Sequence, residues 1–82
     1  MRYRTRTETV EAVQWTGMNA DKVADFLRGR VGFQFHGDAV EIEHATGPRI
    51  ALPHDWILLR PNREVDVCKG GVFQRLYEPI AS

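Results

Sequence analysis

The sequence predicts an α+β domain: a mostly antiparallel sheet of about five to six strands, one main helix after the first strand, and a short C-terminal helix. Three observations carry this reading. Two alternating segments flank Gly37-Asp38, a pair suited to a tight hairpin loop. Between Asn19 and Gly29, apolar residues recur at spacings of three and four. The remaining apolar runs are short and are punctuated by Gly, Pro, Asn and Asp.

Thr9 to Trp15 reads as the first strand, because its β-branched and aromatic residues suit a pleated surface. Arg2, Arg4 and Arg6 extend it as a basic edge, since alternate residues share a face. Residues 1–8 thus read as an edge strand or as a flexible terminus. Thr16-Gly17-Met18 breaks the strand. Asn19 is a natural helix N-cap, and Asp21 lies in the first turn, where the dipole favours negative charge. Ala20, Val23, Phe26 and Leu27 share one face of a helix predicted over about 20–28. Gly29 follows Arg28 as a left-handed terminator.

Val31–His36 and Ala39–His44 both alternate. A type II′ loop at Gly37-Asp38 pairs His36 with Ala39, Phe35 with Val40, Gln34 with Glu41 and Phe33 with Ile42. Apolar residues then meet apolar residues, so turn chemistry and pattern agree. Arg49–Leu52 is a third strand. A three-residue loop at Thr46-Gly47-Pro48 sets Ile50 opposite His44 and Leu52 opposite Ile42, whereas a two-residue loop reverses the faces. After the Pro53-His54-Asp55 turn, Trp56–Leu59 is apolar on both faces and reads as a covered central strand. Pro61-Asn62-Arg63 turns the chain and Glu64–Cys68 returns. Gly70-Gly71 breaks that strand. Val72–Tyr77 is a short helix through Phe73, Leu76 and Tyr77, ended by Pro79. The order places the first helix on the apolar face of the sheet; a strongly bent or barrel-like sheet satisfies the same pattern.

With 82 residues, 43% of them hydrophobic and 27% charged, residues 1–82 fit one globular domain and not a disordered chain. A chain this short leaves a modest stability margin, which a homo-oligomer would widen. Eleven basic and eleven acidic residues balance to a formal net charge of zero, which argues against a dedicated nucleic-acid binder. Cys68 is the sole cysteine, so no internal disulfide forms, as in a reducing cytoplasm. No signal peptide follows Met1–Thr7, and no run approaches the ~20 apolar residues needed to span a bilayer.

Several segments together carry a resemblance. They are Val10-Glu11-Ala12-Val13-Gln14-Trp15-Thr16-Gly17, Asn19–Leu27, Pro53-His54-Asp55-Trp56-Ile57, and Cys68 with Val72-Phe73 and Tyr77-Glu78-Pro79-Ile80. They resemble a group of small phage and prophage proteins that share a V-E-A-[VI]-Q-[WF] start, a central P-G-D-W-I and a C-terminal C-K-x-x-x-F-x-x-[TL]-Y-E-P. The similarity runs from Thr9 to Ile80, with His54 standing where the group commonly has glycine. It implies a phage or prophage origin and an accessory role, and it supplies no catalytic residues.

Candidate sites are few. His36, His44, His54 and Cys68 lack the close pairing of structural metal sites, and the hairpin register puts His36 and His44 on opposite faces; surface or rim positions are the plainer reading. Cys68 lies among apolar strand residues and reads as a small buried side chain, not a nucleophile. Glu41 and Glu43 share a strand face and read as solvated carboxylates. Lys69 with Gly70-Gly71 before a short helix is a weak anion signal. Arg2, Arg4 and Arg6, interleaved with Tyr3, form a candidate patch for phosphate or single strands, against the plainer reading of a solvated terminus. Trp15 and Tyr77 are candidate interaction anchors, while Trp56 belongs in the core.

These readings lead to a non-enzymatic binding module of a phage or prophage, acting in the host cytoplasm, with no cofactor and no metal. It would bind a host protein or sequester a small ligand. A structural or assembly protein of the phage particle and a nucleic-acid-binding regulator are the alternatives.

Overall fold

A computed structural model describes residues 2–4 and 9–79. In chain order the elements are β1 (Arg2–Arg4), β2 (Thr9–Gln14), α1 (Ala20–Leu27), β3 (Phe33–His36), β4 (Ala39–Ile42), β5 (Arg49–Ala51), β6 (Trp56–Leu59), β7 (Val65–Cys68), α2 (Gly70–Leu76) and β8 (Glu78–Pro79). The fold is α+β and every strand pair is antiparallel. The expected single sheet of five to six strands is instead two sheets: five strands in the order β7-β6-β2-β1-β8 and three in the order β3-β4-β5.

The large sheet buries apolar side chains on both faces. Val13, Ile57 and Val65 point to one face, where they pack with Val23 and Leu27 of α1 and with Val40, Ile42 and Ala51 of the small sheet. Val10, Ala12 and Leu58 point to the other, where Tyr3 and Phe73 of α2 cover them. This layering explains the unbroken apolar run of β6, which lies between β2 and β7. On the α2 side the rings of Trp56 and Phe73 stack at 4.1 Å, and Tyr3 meets both edge-on.

The β3–β4 hairpin has the register that the turn chemistry predicts, with Phe33 opposite Ile42 and His36 opposite Ala39. Gly37 carries the positive φ of 62° that a type II′ turn demands at its first loop position. Gly29 likewise takes the left-handed position after α1, with φ 77°.

Four further expectations are corrected. Arg2–Arg4 does not prolong β2; it lies antiparallel beside it, Arg2 opposite Glu11 and Arg4 opposite Thr9, and is flanked on its other side by β8. Arg6 lies outside the described residues. Asn19 precedes α1 but makes no side-chain cap bond. Its Oδ1 accepts from the Thr16 N–H and hydroxyl and its Nδ2 donates to the Gln14 carbonyl at 2.7 Å, which ties strand to helix. In β5 the faces are reversed: Ile42 opposes Arg49 and Val40 opposes Ala51. Six residues, 43–48, separate the paired strands, so Ala51 enters the core while Ile50 and Leu52 face outward. Finally, Gly70-Gly71 opens α2 and does not merely precede it.

Candidate functional site

The Pro53–Asp55 turn joins the segments that carry the resemblance. The Trp15 N–H donates to the Asp55 carbonyl at 2.9 Å, the His54 N–H donates to the Trp15 carbonyl, and Gln14 Nε2 donates to the His54 carbonyl at 3.1 Å. The Asp55 carboxylate is buried and accepts from the Leu52 N–H and from Lys69 Nζ, both at 3.0 Å. Gly70 passes so close that a Cβ there would lie 2.5 Å from the His54 carbonyl oxygen. Three stretches distant in sequence are thus fastened at one turn. His54 has φ 79°, a backbone state that glycine adopts without strain.

Two of the candidate anchors are structural. Trp15 is buried between α1 and the hairpin, and its indole N–H donates to the Asp38 carbonyl at 2.8 Å. Tyr77 is half-buried and stacks on Phe73 at 4.8 Å. The Trp15 ring is therefore enclosed, while Tyr77 keeps part of its surface exposed.

The histidines are dispersed. His36 lies 3.4 Å from Glu41. The His44 side chain, expected at the rim, is only 7% exposed and its Nε2 sits 2.9 Å from Glu64 Oε1. No cluster of three or more His, Cys, Asp or Glu among the described residues is placed to hold a metal ion. Cys68 lies opposite Trp56 against the aromatic cluster, and burial pushes its thiol up from the ordinary value despite the nearby Arg60 charge. A raised thiol pKa disfavours the thiolate that nucleophilic chemistry needs.

The arginines converge. A cleft of about 680 Å³ is lined by Arg2 from β1, Arg30 from the turn after α1, and Arg60 and Arg63 from the β6–β7 turn, with Thr9, Glu11 and Leu59 beneath them. Arg60 sits at the end of β6, where its N–H donates to the Glu64 carbonyl at 2.9 Å. Arg63 takes a left-handed φ of 69°, and its N–H closes the turn onto the Arg60 carbonyl. Among the described residues Glu11 is the sole carboxylate in the lining and is 4.0 Å from Arg30; Asp66, outside the lining, pairs with Arg60 at 3.6 Å. Among the described residues, four guanidiniums line the cleft, with Arg30 beside Glu11 and Arg60 beside Asp66, so cations outnumber the carboxylates paired with them. Guanidinium groups are cationic fork donors, so this arrangement has the chemistry to hold an anion.

Of the predicted patch, Arg2 enters this cleft, the side chain of Arg4 is not described, and Arg6 lies outside the described residues. Arg30, Arg60 and Arg63 carry no spacing signal, since they stand 28 to 61 positions from Arg2 in sequence (30 − 2 and 63 − 2). Their common feature is position just after the end of a helix or strand, where antiparallel packing gathers loops at one end of the sheet.

A second cleft, of about 570 Å³, lies beside Ala12–Gln14 of β2 and Phe26 of α1, with Trp56 in its lining. Among the described residues no helix is long and apolar enough to cross a membrane. Searches against protein-family models, curated proteins and solved structures match nothing to this chain.

Proposed function

We propose that the protein is a phage or prophage accessory module that acts in the host cytoplasm by binding, without catalysis, and that its ligand is a small anion held in the arginine cleft. The observation that carries this is the convergence of Arg2, Arg30, Arg60 and Arg63, from three separate parts of the chain, on one concave site. Arginine forks match phosphate and carboxylate oxygens two at a time. The volume of about 680 Å³ suits a small ligand, since small-molecule sites fall in roughly the 300–1,000 Å³ range. The phage setting rests on the sequence resemblance. Of the wider readings, sequestration of a small ligand is favoured over capture of a host protein, because the anchor Trp15 is buried in the fold and the arginines line a concave site.

The test is calorimetric titration of inorganic triphosphate into the purified protein at low salt, beside the Arg30→Gln/Arg63→Gln double variant. Saturable binding that weakens roughly tenfold in the variant and falls with added salt supports the reading. Absence of saturable binding, or binding untouched by the two substitutions, overturns it.

A further inference from the structure

Phe26 and Arg30 stand four residues apart, one turn along the path of α1 and its terminating turn. Phe26 lines the 570 Å³ cleft and Arg30 the 680 Å³ cleft. The Arg30 guanidinium carbon lies 5.7 Å from the Phe26 ring centroid, so a side chain from each lining contacts one from the other. The opposite wall repeats this arrangement. Thr9–Glu11 of β2 line the arginine cleft and Ala12–Gln14, the next three residues of the same strand, line the other.

The two halves differ in chemistry. The arginine half carries four cations. The other half is lined by the half-buried rings of Phe26 and Trp56 and by the β2 backbone, with polar groups such as Gln14 and Lys22 among them.

We infer that the two clefts are one bipartite site for a nucleoside polyphosphate, with the phosphates among Arg2, Arg30, Arg60 and Arg63 and the base against Phe26. This rests on the anion-binding reading above and adds the ring. An aromatic face beside a flat heterocycle gives stacking. A mononucleotide is favoured over a nucleic-acid strand because the chain is neutral as a whole, whereas strand binders extend a basic track along the backbone.

The experiment compares adenosine triphosphate, guanosine triphosphate, inorganic triphosphate, adenosine and an eight-nucleotide oligothymidine by calorimetry, with tryptophan fluorescence as a second readout. At least one nucleotide is expected to bind about tenfold or more tightly than inorganic triphosphate, the gain that base–aromatic stacking supplies. Phe26→Leu keeps apolar bulk without the ring; it should remove that gain and leave triphosphate affinity unchanged. Should Phe26→Leu fail to fold, fluorescence carries the test: the nucleotide should perturb the tryptophan emission and inorganic triphosphate should not. Nucleotides binding no more tightly than triphosphate would overturn the ring subsite while leaving the anion site standing. No binding of any phosphate probe would overturn both. Tighter binding of the oligonucleotide than of every mononucleotide would also overturn the inference, in favour of a strand.

Discussion

Replacing His54 with glycine should stabilise the protein. His54 holds φ 79° in the turn between β5 and β6. A residue with a Cβ costs roughly 1–2 kcal/mol in left-handed backbone. Glycine removes that strain but gives the unfolded chain more freedom, worth about 0.4–1 kcal/mol in the opposite direction. The His54 side chain is exposed, and the turn is held by its backbone N–H and carbonyl, which glycine retains. The net expectation is a gain of about 0.5–1 kcal/mol. For a domain of this size, that raises Tm by roughly 2–8 °C. Thermal unfolding followed by far-UV circular dichroism reads it directly. Gly70→Ala is the matched control: its new Cβ would press on the same His54 carbonyl from 2.5 Å, and overpacking of that kind costs about 1–3 kcal/mol. A glycine variant that melts at or below the parent temperature would refute the reasoning that backbone strain resides at His54.

Phe73→Ala should cost about 3–5 kcal/mol and erase near-ultraviolet dichroism from the ring stack, because Phe73 is fully buried between Trp56 and Tyr77; urea unfolding measures it. Asp55→Ala leaves the Leu52 N–H without its acceptor and should cost about 1–3 kcal/mol, whereas Asp55→Asn keeps that acceptor and should cost less; equal losses would contradict the assignment. Cys68, with its thiol pushed up by burial, should react with iodoacetamide at pH 8 roughly tenfold or more slowly in the folded protein than in urea. Equal rates would show an open, ordinary thiol.

Local chemistry made part of this molecule legible in advance. The β3–β4 register follows from Gly37-Asp38 and from the alternation on either side, since both act within a few residues. Helix α1 follows from its apolar spacing and from Gly29. The covered status of β6 follows from Trp56–Leu59 being apolar on both faces. Other features depend on contacts between distant segments. The faces of β5 turn on the parity of its loop, which composition leaves open, and the outcome sends Ala51 inward in place of Ile50 and Leu52. Trp15 reads equally as anchor or core until the hairpin supplies the Asp38 carbonyl. Asn19 offers the same side chain to a cap or to the preceding strand, and the Gln14 carbonyl decides between them.

The candidate site belongs almost wholly to the tertiary structure. Sequence alone determined the fold class, one hairpin, the main helix and a neutral overall charge. It also named Arg2. Only folding decided that Arg2, Arg30, Arg60 and Arg63 share a cleft and that Phe26 stands at its border. The physical reason is range. Propensity, turn chemistry and alternation act over a few residues, whereas a charge cluster forms wherever chain reversals happen to stack loop upon loop, and no spacing along the chain records that.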